Sequence, residues 1–157
     1  MSSEGLIQGL SGDLAAEFVS KEDLIQGLNG DLAAEWGTVI RYTYQAGKSF
    51  GVLGVELREM FQEETQDELG HAAFLTDVII DLGGEPTTTP KDFSKPEGFK
   101  DMLELDLDME EQDMKNYVKH ARMAGDLGLI ELQMKLDEMA ADEAGHARDL
   151  RRILKGL

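Results

Sequence analysis

Asp67-Glu68-Leu69-Gly70-His71 and Asp142-Glu143-Ala144-Gly145-His146 are two copies of one pattern, Asp-Glu-x-x-His. Each copy sits inside a long stretch that reads as helix. Glu and His three residues apart share one face of a helix, one turn from each other. A carboxylate beside an imidazole at that spacing is half of a metal site. Glu35 precedes Glu68 by 33 residues, and Glu110 precedes Glu143 by the same 33. In an antiparallel helical hairpin, residues equidistant from the turn lie at the same height. The midpoint of the first pair falls between Gly51 and Val52, and that of the second between Asp126 and Leu127. Both midpoints are turn positions in the reading below. Each hairpin therefore sets a lone Glu opposite a Glu-x-x-His, and two such hairpins complete a dinuclear site in a four-helix bundle.

The donor set defines the chemistry. Glu35, Glu68, Glu110 and Glu143 carry four formal negative charges, enough to neutralise two divalent ions, and His71 and His146 add one imidazole to each. Carboxylates bridge metals and, with imidazole, suit iron and manganese. Glu68 and Glu143 are the expected bridges, and Glu35 and Glu110 the expected terminal carboxylates. Asp67 and Asp142 point to one side of the bridging glutamates. Each is either a solvated surface carboxylate or the hydrogen-bond acceptor that orients the other hairpin's histidine. Leu69, Ala72, Phe74 and Leu75 around His71, and Ala140, Ala141, Ala144 and Ala147 around His146, indicate faces that pack inward. Burying so many carboxylates without a cation would be very costly.

The remaining pattern is all-α. Ser20 followed by Asp23 forms a capping box with Asp in place of Glu, and a first helix from Ser20 to near Gly47 keeps Leu24, Leu28, Leu32, Val39 and Ala46 in period. A second runs from Phe50 to Leu82, with Val52, Val55, Met60, Phe61, Leu69, Ala72 and Val78 expected on its apolar side, and Gly83-Gly84 stops it. Glu85 to Pro96 holds all three prolines. Extended, that segment spans about 40 Å, near the length of a 30-residue helix, so the third helix can start at the same end of the bundle as the second. The third helix runs from Glu97 to Ala124 and the fourth from Leu129 to Leu154, joined by a short turn at Gly125–Gly128. His120, the one histidine outside the motifs, is expected as a solvated residue complementing the helix dipole.

With 157 residues the chain makes one domain with a real core. Its net charge of −17 opposes nucleic acid and anionic membrane surfaces and attracts cations. No cysteine is present, which excludes disulfides, iron–sulfur clusters and thiol catalysis. No apolar run reaches the roughly 20 residues of a membrane span, and the start lacks the basic-then-apolar run of a signal peptide. A cytoplasmic location is the expectation.

Residues 1–19 form an expected N-terminal extension to a bundle spanning 20–157. Leu6-Ile7-Gln8-Gly9-Leu10 through Glu17-Phe18 repeats Leu24-Ile25-Gln26-Gly27-Leu28 through Glu35-Trp36 at an offset of 18 residues, five helical turns. The first copy reads as a short helix or arm. Its Glu17 imitates Glu35 but has no second helix of its own to complete a site.

With these residues in place the chain resembles the ferritin-like superfamily, most closely bacterioferritin, over about residues 21–155. The pattern Glu35, Glu68-x-x-His71, Glu110, Glu143-x-x-His146 carries the resemblance. It implies a ferritin-like antiparallel four-helix bundle with a long crossover between the second and third helices. It also implies a ferroxidase that binds two iron ions per chain and oxidises Fe(II) with O2 or H2O2 in iron storage or detoxification. Manganese or zinc suits the same donors. Tyr42 matches a tyrosine beside the dinuclear centre of that family, where it is either a catalytic participant or a core tyrosine with a satisfied hydroxyl. Glu64 resembles a carboxylate on the family's iron-access route, or else it faces solvent. Leu69 replaces the family's haem-binding methionine, so no haem is expected there. A fifth helix is missing, which leaves a homo-oligomer as the expectation and its size, from a dimer to a twelve- or twenty-four-subunit shell, open. Two other readings compete. One is a rubrerythrin-like peroxide-reducing protein that uses an external electron donor. The other is a non-enzymatic helical scaffold stapled by metal.

Overall fold

A computed structural model describes residues 19–157. The duplicated first copy, with Glu17, lies outside the described residues. Four helices follow in order: α1 (Lys21–Lys48), α2 (Gly51–Asp81), α3 (Phe99–Asp126) and α4 (Ile130–Leu154). Their ends lie within two residues of the expected ones, and no strand occurs among the described residues.

Local chemistry sets the ends. Ser20 Oγ accepts the Asp23 N–H at 3.1 Å while Asp23 Oδ2 accepts the Ser20 N–H at 3.1 Å, the reciprocal capping box that fixes where α1 begins. At the end of α2, Gly83 has φ +86°, and Gly84 N–H returns to the Ile79 carbonyl at 2.8 Å, a left-handed glycine stop.

Residues 82–98 then run back along α1. Asn29 clamps them with its amide, giving a hydrogen bond to the Glu85 carbonyl (3.1 Å) and receiving one from Thr87 N–H (2.7 Å). Lys91 N–H reaches the Ala33 carbonyl at 2.7 Å. The crossover lies so close here that a Cβ on Gly37 would stand 2.5 Å from the Lys91 carbonyl oxygen.

Side-chain pairs between α1 and α3 give the topology. Asp31 meets His120, Glu35 meets Tyr117, Tyr42 meets Glu110, and Gln45 meets Asp106. As one number climbs the other falls, so α1 and α3 are antiparallel. With α1–α2 and α3–α4 as hairpins, α2 and α3 run parallel, as the long crossover requires.

The apolar interior is divided in two. Leu24, Leu28, Leu75, Ile79, Leu136 and Met139 belong to one cluster. Tyr42, Leu57, Phe61, Leu103 and Leu150 belong to the other. The motif carboxylates lie between them, so neither end of the bundle gives water a direct way in.

The second helix departs from the expected apolar side. Val52, Val55 and Leu69 are exposed, Val52 to 92%. The buried stripe runs instead through Leu57, Phe61, Glu68, Ala72, Leu75 and Ile79. A stripe that includes Glu68 turns Leu69 about 100° away from it. Ala141 is likewise exposed beside His146.

Candidate metal centre

Three of the four candidate glutamates, Glu68, Glu110 and Glu143, are only 1% exposed, and Glu35 is 3% exposed. They group with the histidines into two sets whose donor atoms lie within 4.8 Å of one another: Glu35, Glu68, Glu143 and His71, and Glu68, Glu110, Glu143 and His146. Glu68 and Glu143 belong to both sets. Glu35 and Glu110 each belong to one.

Nδ1 is the inward atom of both imidazoles. His71 Nδ1 stands 3.0 Å from Glu143 Oε1 and 3.3 Å from Glu68 Oε2. His146 Nδ1 stands 3.3 Å from Glu143 Oε2 and 3.6 Å from Glu110 Oε2. Both Nδ1 atoms, both Glu143 oxygens and Glu68 Oε1 are buried without a hydrogen-bond partner. Orphaned donors and acceptors of this kind are costly, and they are the atoms a pair of divalent ions would take up. The residues therefore fit a dinuclear metal group.

The electrostatics agree. Burial disfavours a charged His71, but Glu143, Glu35 and Glu68 outweigh it and push its pKa up to about 12. His146 moves upward for the same reason, with Glu110, Glu143, Glu64 and Glu68 outweighing burial. Burial and the Glu68 charge push Glu143 up to about 8 and Glu35 well above the usual carboxylate range. Burial would raise Glu68 too, but the adjoining His146, His71 and Glu35 hold it below that range. Without a metal, the centre neutralises itself with protons.

The outward nitrogens point to a cleft of about 630 Å³ between α2 and α4, lined by Asp67, Gly70, His71, Asp142, Gly145 and His146 among others. Asp142 Oδ2 lies 3.5 Å from His71 Nε2, and Asp67 Oδ2 lies 3.9 Å from His146 Nε2. Each aspartate thus faces the other hairpin's histidine, at ion-pair distance. Glu64 comes closer, with Oε2 at 2.7 Å from His146 Nε2. Glu64, Asp67 and His146 form a third possible ion-holding group on the outer side of His146.

Tyr42 donates its hydroxyl hydrogen bond to Glu110 Oε1. Tyr117, which the motif reading passes over, donates in the same way to Glu35 Oε1. The signal for it was a shift of 75 residues, which carries Glu35 to Glu110, His71 to His146, Asp31 to Asp106 and Tyr42 to Tyr117. His120 is a correction: it is 6% exposed, not solvated, with Nδ1 2.5 Å from Asp31 Oδ2. It packs against Gly27, where a Cβ would stand 2.5 Å from its Nε2. Arg41 is also buried, where it ion-pairs with Asp106 at 2.8 Å and Glu110 at 3.2 Å.

An all-α bundle with two Glu-x-x-His helices converging on shared carboxylates defines the class of dinuclear carboxylate proteins. The ferritin-like domain profile matches residues 25–157, and the chain belongs to that family. It is 39% identical to a ferritin-like, diiron-carboxylate protein from Bacillus anthracis strain Ames, covering 85% of this chain and 96% of that one at a TM-score of 0.84. It shares its fold with a bacterioferritin of Rhodobacter capsulatus with a metal-free dinuclear site (24% identity, 85% and 84% coverage, TM-score 0.71). The fold is also that of a dodecameric thioferritin, the bacterioferritin-related protein of Bacteroides fragilis (24% identity, 88% of each chain, TM-score 0.79). Comparison with curated proteins gave no match.

Proposed function

We propose that the protein is a ferroxidase. Its substrate is Fe(II), taken two at a time between Glu35, Glu68, Glu110, Glu143, His71 and His146. Two Fe(II) give up one electron each. The pair of electrons reduces O2 to H2O2 with two protons, or H2O2 to two waters. The observation that carries this reading is the set of buried, unpartnered Nδ1 and carboxylate atoms converging on two positions that share Glu68 and Glu143. The diiron-carboxylate relative from B. anthracis supports iron as the metal.

The chain's own groups take definable parts. Glu68 and Glu143 hold the two ions together, while His71 and His146 donate through Nδ1. Tyr42 and Tyr117 steady the terminal carboxylates, and Tyr42 is the oxidisable group closest to Glu110. Asp142 and Glu64 stand at the outer imidazole nitrogens, where accepting from Nε2–H would favour the tautomer that presents Nδ1 inward. Asp67 and Asp142 make the cleft an access route for cations, and Glu64, against His146 Nε2, passes them on. Residues 20–157 act as the catalytic bundle, with residues 1–19 as an extension.

The surface of α2 supports assembly. Val55, Leu69 and Ile80 are exposed and fall within about 40° of one another in helical phase. An apolar stripe of that kind supports a homo-oligomer covering α2, and the dodecameric relative sets a precedent for shells. No helix among the described residues is long and apolar enough to cross a membrane.

The test is an aerobic Fe(II) titration of metal-free protein. A fast oxidation phase that saturates at two irons per chain is expected. Glu68→Ala and His146→Ala should slow it by at least about tenfold, the effect typical even of residues that only support a metal ligand. Oxidation in both variants as fast as in the parent would sink the assignment.

A further inference from the structure

The shift of 75 residues makes the two metal positions nearly equivalent, and Arg41 breaks the equivalence beside Glu110. Arg41 is fully buried. Its Nε gives a hydrogen bond to Asp106 Oδ1 at 2.8 Å and its Nη2 one to Glu110 Oε1 at 3.2 Å. Thr38 Oγ1, at 3.3 Å, and Met109 Sδ, at 2.9 Å, hold Nη1. The equivalent position is Asn116, a partly exposed neutral amide that accepts from Gln112 at 2.9 Å. Glu35 therefore has no guanidinium.

The consequence shows in the carboxylates. On Glu110, Oε1 receives both Arg41 and Tyr42, and only Oε2 turns to His146, at 3.6 Å. On Glu35, the one donor is Tyr117, and the oxygen it reaches, Oε1, is also the one that lies 3.6 Å from His71 Nδ1. Glu110 can offer an ion one oxygen in a fixed orientation. Glu35 keeps its second oxygen free and can turn to chelate. A buried guanidinium beside Glu110 also repels a cation, and its counter-charge, Asp106, sits on the guanidinium's other arm.

We propose that Arg41 is a positioning residue that makes the two metal positions unequal. It pins Glu110 as a one-oxygen ligand and weakens the Glu110/His146 position, so the first divalent ion fills the Glu35/His71 position. The inference rests on the dinuclear reading above and assigns its order of filling.

The experiment uses Co(II) and Zn(II), which bind without oxidation chemistry. Calorimetric titration of the metal-free full chain should show two steps differing by about tenfold or more, the size of one charge-assisted hydrogen bond. The Co(II) visible spectrum should change between the first and second equivalent. His146→Ala should remove the weaker step and His71→Ala the tighter one. In Arg41→Gln/Asp106→Asn, which deletes the buried charge pair together, the weaker step should tighten and the gap close. Arg41→Lys keeps a cation for Asp106 without a second arm for Glu110, and should narrow the gap in the same direction should the double variant not fold. Equal affinities in the parent, loss of the tighter step in His146→Ala, or an undiminished gap in whichever Arg41 variant folds would each overturn the proposal. Failure to bind two ions at all would overturn the metal-site reading beneath it, a result distinguishable from equal binding.

Discussion

His120 stands in the last turns of α3, where a histidine is ordinarily a cation facing the negative end of the helix dipole. Burial against Gly27 and the 2.5 Å approach to Asp31 give it another role, cross-linking α1 to α3. Its neighbourhood comes from a residue 89 positions away, so no reading of α3 alone finds it. The convergence of Glu35, Glu68, His71, Glu110, Glu143 and His146, by contrast, was legible because each hairpin is local and its register follows from counting. Arg41 was not, because nothing in its own helix distinguishes a buried arginine from a surface one, and Asp106 and Glu110 arrive from α3. At this scale the protons of the metal-free centre make a prediction. His71, with a pKa near 12, and Glu143, near 8, hold protons at neutral pH that a bound ion must displace. The free site binds those protons and the loaded site cannot, so affinity for a divalent ion rises with pH and falls as pH drops below about 8. Zn(II) competition against a chromophoric chelator at about pH 6 and about pH 8 measures it. Calorimetry in buffers of different ionisation enthalpy counts the protons released. An affinity that does not change between the two pH values would contradict the protonated resting state.

Between elements, the crossover is what makes the bundle possible, and glycine is what lets it sit down. Gly37 is buried under Lys91, with a backbone carbonyl where a methyl group would go. Gly37→Ala should lower stability by about 1–3 kcal/mol, the usual range for overpacking. Gly30 lies in the same helix with no atom within 4 Å of its would-be Cβ. Gly30→Ala should raise stability by about 0.5–1 kcal/mol through helix propensity alone. Urea unfolding of the two variants in parallel separates these effects, and shifts of the same sign would show that the crossover is not packed as described. Helix ends were legible to within two residues because capping boxes, paired glycines and prolines act through immediate neighbours. The solvent side of α2 was not. Val52, Val55 and Leu69 are apolar yet exposed, and residue type alone does not say which apolar side chains of a helix face its own core.

Over the whole molecule, charge and metal act against each other. A net charge of −17 spreads repulsion across the surface, while the four central glutamates are compensated by protons. Two divalent ions that bind the folded chain and not the unfolded one would replace those protons, so loading should stabilise the fold. At a free-ion level a hundredfold above the dissociation constant, linkage gives about 2.7 kcal/mol per ion. Thermal melts with and without Zn(II), followed by chelation, read it directly. A melting temperature indifferent to both additions would mean that the ions do not bridge the two hairpins.

The hydrogen bonds that tie the crossover to α1 involve Glu85, Thr87 and Lys91. Past Lys95 the chain only links one hairpin to the other. Severed there, the protein becomes two fragments, each holding three of the six donors and neither able to neutralise its own carboxylates. Reassembly would then depend on the ion: in such a split protein, metal concentration sets whether the two pieces find each other.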